Sequence, residues 1–574
     1  MKRVYFTLAL MSLFGGLNAF ASFTKGGVVY DKMSDGSCIV VNYDEATMPD
    51  DGIVTIAKTI NIDGTDYDVT GILGSYNWTV GGYYDNGKYN VEGENTTYNR
   101  AAFANCKKIT GLRFEEGSKV TWIGDHAFRF CSNLKTIENI PSVLNDIQGW
   151  CFEGTVLESV DLSGTHLKYL HNGCFYNCQQ LKEVKLPSTL TTPNDGKYVD
   201  ADDDNYGKQA FQHTAIESID LTNTQLISLG DYMFADCPLN TVKLPSTLKY
   251  IWNHAFCNSS LSSITFPPSL QKIDAWAFQK TQLANVVIPT KCSLIEQGAF
   301  SDNANLTTVF INGLECYLAY KAFWSCPKLT DIYITSNNKP VAGRYGFPFD
   351  NNPKVHVMKD FVETFSGLKT SENYNPCNTT NFDSNFYITL GKEWTTFTSA
   401  YNLDFSGVEG LTAYTAKYNE ANDAVALTQV NRVAAKTGLI LKGEAGQTYT
   451  VSILASDAAE LDKVTDNQLV DCVDAFWWSS SRENDYFLSN SKFVKSAHDG
   501  WALPGKSFLS IKGGRPNHSG SPLRVYVDNT ATAINGITNN PVVKDEAYYN
   551  LQGVKVQRPQ HGVFIHNGKK VVLK

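Results

Sequence analysis

Short apolar stretches separated by polar residues recur in a fixed order between residues 101 and 350. Each unit begins with two apolar residues that flank a variable one, and a Pro often follows them. A second apolar cluster comes next, and then a Phe that usually follows Ala or Cys. The gaps between these Phe residues are 22 to 25 positions, except for one gap of 36 that holds an insertion from Thr191 to Gly207. This regularity indicates one structural unit repeated along the chain. The repeat Phe residues are Phe103, Phe128, Phe152, Phe175, Phe211, Phe234, Phe256, Phe278, Phe300 and Phe323.

The spacing predicts a solenoid with a parallel sheet over residues 101–357. The two apolar residues of each short strand point to the same side, because side chains alternate along a strand. The Pro that follows in several units ends the strand. A single coil cannot bury its own apolar side, so stacked coils must share one core. We therefore expect consecutive strands to pair and the Phe residues to fill the coils.

The full unit, Leu-x-x-Ile-x-Leu-Pro-x-x-Leu-x-x-Ile-x-x-x-Ala-Phe-x-x-Cys, resembles the BspA-like (treponemal-type) leucine-rich repeat of bacterial surface proteins. The segments Gly26–Tyr30 and Asp63–Thr70 resemble that family's N-terminal cap, so residues 22–100 are expected to form a cap. Residues 74–100 depart from the pattern and indicate an insertion. The resemblance implies a leucine-rich-repeat solenoid and a role in adhesion to host proteins or other bacteria. It fixes no ligand.

The chain after the repeats predicts three further segments. Residues 358–385 are rich in Asn, Ser and Thr and indicate a linker. Between 386 and 531, short apolar runs such as Tyr449–Leu454 alternate with turn signals, which predicts an all-β, sandwich-like domain. Residues 532–574 predict a short β tail of two hairpin-like strand pairs, and they resemble the C-terminal sorting signal of type IX secretion substrates. The expected fold class is mainly β throughout.

The first 21 residues indicate an export signal. Lys2 and Arg3 precede the apolar run Phe6–Phe14, and residues 19–21, Ala-Phe-Ala, have the small-x-small pattern of a cleavage site. A membrane anchor is the alternative, but the apolar run is far shorter than the roughly 20 residues that span a bilayer. We therefore expect an exported protein, extracellular or on the outer cell surface, without a membrane span.

Thirteen cysteines in an exported chain raise the question of disulfide bonds. One cysteine per repeat at one position is typical of a core position, where a thiol packs as a small apolar group. No Cys-x-x-Cys pair has the spacing of a zinc site. We expect buried thiols rather than disulfide bonds or a metal centre. Five cysteines lie three residues after a repeat Phe: Cys106, Cys131, Cys178, Cys237 and Cys326.

The residue between the two inward-pointing residues of each strand is expected to face outward and to stack with its neighbours in a ladder. The first four members alternate in charge, so neighbouring coils attract one another. The last three are apolar or aromatic, which usually marks a contact. Two interpretations stay open: a surface that binds a ligand, or a docking surface for the next part of the chain, which we favour because terminal repeats need a cap. The ladder consists of Asp161, Lys185, Asp220, Lys243, Thr265, Val287, Phe310 and Tyr333.

Two other clusters suggest ligands. Trp477, Trp478 and Trp501 are candidates for a carbohydrate platform, since aromatic faces suit sugar rings, although core packing is the favoured alternative. The insertion from Thr191 to Gly207 carries side-chain oxygen atoms of the kind that bind calcium, but their spacing does not match an EF-hand loop. We expect a solvated loop there and predict no cofactor. These side chains are Asp200, Asp202, Asp203, Asp204 and Asn205.

Charge and motifs narrow the function. A net charge of −9 argues against a nucleic-acid-binding protein, which normally carries a basic surface. The chain has no Gly-x-Ser-x-Gly, His-Glu-x-x-His or phosphate-loop motif, so no enzyme is expected. With the resemblance, the sequence predicts a secreted or cell-surface adhesin that recognises host or bacterial proteins through the solenoid. The alternatives are a carbohydrate-binding surface protein and a structural surface component without a specific ligand.

Overall fold

The structure is a computed structural model, and the fold is mainly β, as predicted. The chain forms two compact units, Met1–Val527 and Asp528–Lys574. The predicted export signal, residues 75–100 of the first insertion and the aspartates of the second insertion lie outside the described residues. The structure describes residues 23–33, 35–74, 101–193, 207–313, 316–335, 353–362, 382–496, 499–515, 521–527, 548–549, 555–556, 562–566 and 569–573.

Six strands form the N-terminal cap, and two of them begin the sheets of the solenoid. They are Phe23–Lys25 (β1), Val28–Lys32 (β2), Cys38–Tyr43 (β3), Ile53–Ile56 (β4), Thr59–Ile62 (β5) and Thr65–Ile72 (β6). The first three form an antiparallel ribbon. β4 and β6 instead pair in parallel with the first two strands that follow residue 101. The cap therefore covers the first coil by continuing both of its strands.

The solenoid places most of its strands in two parallel ladders. The three- and four-residue strands pair in register on one side of the coils, and the two-residue strands pair on another. The predicted parallel sheet is confirmed, although hydrogen bonding divides each ladder into separate groups of strands and no strand forms at residues 261–267. The strands are Gly111–Phe114 (β7), Trp122–Ile123 (β8), Thr136–Glu138 (β9), Asp146–Ile147 (β10), Ser159–Asp161 (β11), Glu183–Lys185 (β12), Ser218–Asp220 (β13), Ser228–Leu229 (β14), Thr241–Lys243 (β15), Tyr250–Ile251 (β16), Lys272–Ile273 (β17), Asn285–Ile288 (β18), Leu294–Ile295 (β19), Thr308–Ile311 (β20), Tyr317–Leu318 (β21), Asp331–Ile334 (β22), Lys354–His356 (β23) and Phe382–Asp383 (β24).

The repeat Phe side chains form one continuous stack through the solenoid. Successive rings from Phe103 to Phe323 lie 4.9 to 5.6 Å apart between centroids and within 15° of parallel. Phe175 and Phe211, which the insertion separates in sequence, keep a spacing of 5.6 Å. The coils on the two sides of the insertion therefore stay stacked.

Each coil turns sharply on both sides of its Phe. Around Phe278, Trp276 has a φ of 52° and Lys280 a φ of 57°, both in the left-handed region that most residues avoid. Gly298 occupies the position of Trp276 in the next coil, with a φ of 63°. A Cβ atom at Gly298 would lie 2.5 Å from the indole Nε1 of Trp276, so glycine is required there for the indole to rest on the next coil.

The cysteines of the repeats are buried free thiols, as predicted. The five at the position three residues after the Phe are each at most 2% exposed. Among the described residues, twelve cysteines carry free thiols and only Cys257 is more than marginally exposed. The thiols therefore belong to the core of the coils.

Residues 385–527, here called the β-domain, form two main sheets and a separate hairpin. The all-β prediction is confirmed, and the sheets make a barrel-like region. One sheet has the order β25-β32-β27-β30, and the other begins with β26-β31-β28-β29-β39. The strands are Asn385–Thr389 (β25), Trp394–Phe397 (β26), Leu403–Asp404 (β27), Thr412–Asn419 (β28), Ala424–Val430 (β29), Arg432–Val433 (β30), Leu439–Lys442 (β31), Thr448–Ile453 (β32), Leu469–Cys472 (β33), Phe476–Trp478 (β34), Asp485–Ser489 (β35), Lys492–Val494 (β36), Gly500–Ala502 (β37), Lys506–Ser510 (β38) and Leu523–Val527 (β39).

The predicted linker 358–385 is partly wrong, because the solenoid sheet continues into it. β23 pairs in parallel with β22, and β24 pairs in parallel with β23. Phe382 is buried in the solenoid core, and β25 of the β-domain begins only two residues after Asp383. A two-residue strand shows no period in the sequence, so hydrophobic patterning could not reveal it. The solenoid thus leads directly into the β-domain.

The second unit is a small antiparallel sheet. Its order is β41-β40-β42-β43, and the pairs β40–β41 and β42–β43 are the two expected strand pairs. The strands are Tyr548–Tyr549 (β40), Lys555–Val556 (β41), Gly562–His566 (β42) and Lys569–Leu573 (β43).

Candidate functional site

The four charged positions predicted to face outward lie on neighbouring strands of the solenoid sheet. Asp161 is paired in register with Lys185, and Asp220 with Lys243. The side chains of these four residues are 49 to 58% exposed. The alternation read from the sequence is therefore a physical row of charges on an open surface.

The row begins earlier than predicted. Arg113 on β7 is in register with Glu138 on β9, and its Nε lies 2.7 Å from the Glu138 carboxylate. Both side chains are more than 40% exposed. The same strand register would have found this pair in the sequence, one residue after Leu112 and Ile137. We call the row of Arg113, Glu138, Asp161, Lys185, Asp220 and Lys243 the charged ladder.

Hydrogen bonds and ion pairs fix the ladder carboxylates. Ser163 donates both its N–H and its hydroxyl to Asp161, at 3.0 and 2.6 Å, and Thr222 does the same for Asp220. The bonds from Ser163 hold the pKa of Asp161 below its ordinary value, with a further contribution from Lys185. Burial alone would raise the pKa of Asp220, but the bonds from Thr222 and Lys243 outweigh it and lower that pKa. Both carboxylates are thus charged and oriented.

The ladder lysines are held by the acidic side chains beside them. Lys243 Nζ lies 2.9 Å from the Asp220 carboxylate. Lys185 Nζ lies 3.4 Å from Glu183 and 3.6 Å from Asp161, and the bond to Glu183 is the main reason that its pKa is raised. The open surface therefore presents charges of both signs in defined positions, with Glu138 and Asp161 as the one like-charged pair of neighbours in the charged ladder.

The apolar end of the predicted row is covered by the β-domain. We call Val287, Phe310 and Tyr333 the aromatic end. The Phe310 and Tyr333 rings stack at 4.6 Å, and Phe386 of β25 packs against Tyr333 at 4.9 Å. Tyr333 is only 3% exposed, so its assignment to a ligand-binding surface is wrong. The packing of Phe310 and Tyr333 against the β-domain is that of a docking surface, the interpretation favoured from the sequence.

The other two members of the predicted row have mixed surroundings. Val287 is half-buried and in register with Phe310. Thr265 is also half-buried but lies in the break of the sheet, outside any strand. Only the charged ladder therefore combines regular strand geometry with an open surface.

Polar contacts reinforce the junction between the solenoid and the β-domain. Thr290 donates its N–H and hydroxyl to the Asp474 carboxylate at 3.0 and 2.6 Å. Ser456 donates in the same way to Asp360, at 3.1 and 2.6 Å. The Tyr387 N–H donates to the Tyr333 hydroxyl at 3.2 Å. Burial raises the pKa of that Tyr333 hydroxyl well above its ordinary value. The β-domain is therefore bound to the last coils at several separate points.

The tryptophans of the β-domain do not form one open platform. Trp478 is 2% exposed and packs edge-on against Phe487 at 5.3 Å, so it is a core residue. Trp477 is half-buried and directly opposite Trp501 in the antiparallel pair β34–β37. The carbohydrate prediction is wrong for Trp478 and stays a prediction for the other two.

The residues of the repeat region match a known family. Residues 96–200 and 204–330 fit the family model of the BspA type leucine rich repeat region, in six copies. The repeat region is thus similar to BspA type leucine rich repeats, and the match covers less than half of the chain. No curated protein matches the chain.

Several solved structures are similar to the chain. A leucine-rich repeat protein from Bacteroides ovatus is 19% identical, with a TM-score of 0.36, and the match covers 60% of this chain and 80% of that one. A leucine rich cell surface protein from Faecalibacterium prausnitzii is 19% identical, with a TM-score of 0.32 and coverage of 57% and 87%. The pneumococcal vaccine antigen PcpA is 16% identical, with a TM-score of 0.30 and coverage of 64% and 98%.

The described residues contain neither a candidate membrane-spanning helix nor a candidate metal site. Within the described ranges, no helix has the length and apolar character that crossing a membrane requires. The described side chains also contain no group of three or more His, Cys, Asp or Glu residues arranged to hold a metal ion.

Proposed function

We propose that this chain is an adhesin of the bacterial surface that binds an extracellular protein partner on the charged ladder. The observation that carries the proposal is the open, ordered row of paired charges on the solenoid sheet. A host protein or a protein of another bacterium would be the partner. The expected export signal and the sorting-like tail support delivery to the surface.

The presence of both charge signs along the ladder suits a protein partner. A matching surface must offer both signs at the spacing of the strands, about 4.8 Å from one coil to the next. Such complementarity raises the association rate and rejects partners with the wrong pattern. The ladder charges already form ion pairs with one another. A partner must therefore replace these ion pairs with its own. We therefore expect selective binding that weakens as salt screens the charges.

The aromatic end is not expected to touch the partner; it holds the β-domain on the last coils of the solenoid. Phe386 and the polar bonds at Thr290 and Tyr333 hold the β-domain over the last coils. This arrangement leaves the coils before Thr265 as the open part of the solenoid sheet, where we place the binding surface. Substitutions at the junction should therefore alter stability before they alter binding.

The test is binding of the purified chain to a panel of immobilised extracellular-matrix proteins: collagen, fibronectin, fibrinogen and laminin. We expect at least one to bind, and the double substitution Lys185→Glu with Lys243→Glu to weaken binding at least tenfold. Lys417→Glu is the matched control, because Lys417 of the β-domain is as exposed as Lys185 and also pairs with an aspartate. Absence of binding to the panel, or equal binding by both variants, would contradict the proposal.

A carbohydrate ligand is the second candidate function. It rests on the half-buried Trp477 and its position opposite Trp501 in the hairpin. A glycan array with the wild type and Trp477→Ala tests it, with Phe130→Ala as control, since Phe130 is an exposed aromatic residue of the solenoid. Glycan binding that is lost only in the Trp477 variant would favour this function over the first.

A further inference from the structure

A buried histidine joins the last three strands of the solenoid sheet. His356 on β23 is in register with Asp383 on β24 and with Tyr333 on β22, and Asp331 precedes Tyr333 by two residues on the same parallel strand. The His356 ring is 0% exposed. Its Nε2 lies 2.9 Å from Asp331 Oδ1, and its Nδ1 lies 2.5 Å from Asp383 Oδ1.

The β-domain closes over this histidine. Tyr333 stacks on one face of the imidazole at 4.4 Å, and Tyr387 of β25 meets it edge-on at 5.4 Å. The Tyr401 hydroxyl donates to the His356 carbonyl at 3.3 Å. The imidazole therefore lies where the aromatic end, the solenoid sheet and the β-domain meet.

Other polar groups surround the two carboxylates. Lys354 Nζ lies 3.7 Å from Asp383, and the side chain and N–H of Asn385 donate to the same carboxylate at 3.2 and 3.1 Å. The Thr330 hydroxyl donates to Asp331 at 2.7 Å. Burial alone would raise the pKa of Asp383, but the bond from His356 leads the contributions that lower it.

The protonation of the imidazole follows from its partners. An ionised carboxylate can only accept a hydrogen bond, so each ring nitrogen must carry a proton to bond to its aspartate. Both bonds exist together only while the ring is an imidazolium. When one proton leaves, a nitrogen lone pair faces a carboxylate, and a buried charge-assisted bond is lost.

We propose that His356 is a proton-dependent latch that holds the β-domain against the end of the solenoid. With the imidazolium in place, both aspartates are bonded and the junction is tight. Once the ring is neutral, the junction opens more often and the aromatic end becomes accessible to solvent. This device is independent of the proposed function, because it requires no ligand on the charged ladder.

Hydrogen exchange of the purified chain between pH 5.5 and 9 tests the latch. The reporting segments are residues 353–358 and 382–388, where the Val357 N–H donates to the Asp383 carbonyl. After correction for the intrinsic exchange rate, we expect protection there to fall about tenfold as pH rises, the effect of losing one charge-assisted bond. Strands β28 and β29 should keep constant protection. Constant protection in the reporting segments as well would overturn the proposal.

Two substitutions separate a latch from a merely structural contact. His356→Gln cannot titrate, so protection in the reporting segments should no longer depend on pH. Asp331→Asn leaves the imidazolium with one carboxylate, so the midpoint of the transition should move to lower pH, whereas Asp220→Asn on the charged ladder should leave it in place. If His356→Gln does not fold, the test relies on the Asp331→Asn variant alone, through the pH midpoint of its change in protection. An unchanged midpoint, or a pH response that persists in His356→Gln, would overturn the proposal.

Discussion

The position three residues after the repeat Phe is a hydrogen-bond donor in several coils as well as a core position. Cys131 and Cys178 each lie with Sγ 3.0 Å from the carbonyl oxygen of the Phe in the preceding coil. Asn303 donates to the equivalent carbonyl of Phe278 at 2.9 Å. Burial raises the pKa of Cys178 to about 12, so its thiol stays protonated and able to donate. Neighbouring coils are therefore joined by side chains as well as by strands.

Replacing this donor should destabilise the fold in a graded way. Cys178→Ala removes the bond to Phe152 and leaves a small cavity, and we expect a loss of about 1–3 kcal/mol in the free energy of unfolding. Cys178→Ser keeps a donor and should lose less than the alanine variant. Urea denaturation of both variants measures the difference. Equal losses would mean that the position matters only for packing.

The lowered pKa of Asp220 predicts a pH-dependent contribution to stability. Because the folded pKa is depressed, this contribution is fully present above the ordinary carboxylate pKa near 4 and is lost as pH falls through the folded pKa. Asp220→Asn should therefore cost at most about 1 kcal/mol at pH 7, since the pair with Lys243 is half-exposed, and almost nothing near pH 2. Urea midpoints at the two pH values measure this. Asp457→Asn, at an exposed position of the β-domain, should show no such difference; the same cost for Asp220→Asn at both pH values would contradict the argument.

The sequence could predict which residues are buried but not all that they bond. The fixed spacing of Cys178 and its equivalents indicated a core position, and this is confirmed. Thr214 and Asn303 lie at the same position, three residues after the repeat Phe, in other coils. Like cysteine, both have a side chain that can donate a hydrogen bond. Comparing the residue types across coils would have revealed the donor role. His356 carried no such signal, because its two aspartates meet only when β23 and β24 form.

At the scale of elements, the stacked Phe side chains and the paired strands determine the spacing of the coils. Phe256 lies between Phe234 and Phe278, with centroid distances of 5.6 and 5.2 Å, and is fully buried. Each such ring contacts two coils besides its own. The period of about 23 residues was enough to predict this arrangement, because every coil repeats the same apolar pattern.

Truncating one ring of the stack should be costly. Phe256→Ala should lower the free energy of unfolding by about 3–5 kcal/mol, the usual range for a buried Phe, and Phe256→Leu by less. Phe130→Ala is the control, because Phe130 is 40% exposed and outside the stack. Urea denaturation measures all three variants. A loss for Phe256→Ala no larger than that for Phe130→Ala would contradict the role of the stack.

At the scale of the whole molecule, the solenoid and the β-domain belong to one compact unit. The sequence favoured the aromatic end as a docking surface for the next part of the chain, but it could not identify the residues that cover it. Phe386 belongs to the β-domain, whose sequence does not follow the repeat pattern of the solenoid. Only the folded structure shows that it packs against Tyr333. The linker prediction failed in the same region for the same reason, since β24 is too short to be recognised without its partner strand.

The junction should couple the unfolding of the two parts. We expect the wild type to unfold in one calorimetric transition over the solenoid and β-domain, and Tyr333→Ala to separate it into two. Tyr333→Phe keeps the ring and loses only the bond from the Tyr387 N–H, so it should still unfold in one transition. Leu503→Ala, at a residue 54% exposed, should behave as the wild type. A single transition with an unchanged midpoint in Tyr333→Ala would show that the two parts are coupled elsewhere.

The most direct test of the account is a hydrogen-exchange footprint of the chain bound to a matrix protein from the panel. If the partner binds on the charged ladder, we expect added protection in strands β9, β11, β12, β13 and β15, which carry most of that ladder. We expect no added protection in the hairpin of β34 and β37. Protection confined to that hairpin, or absent from the ladder strands, would contradict the proposed binding surface.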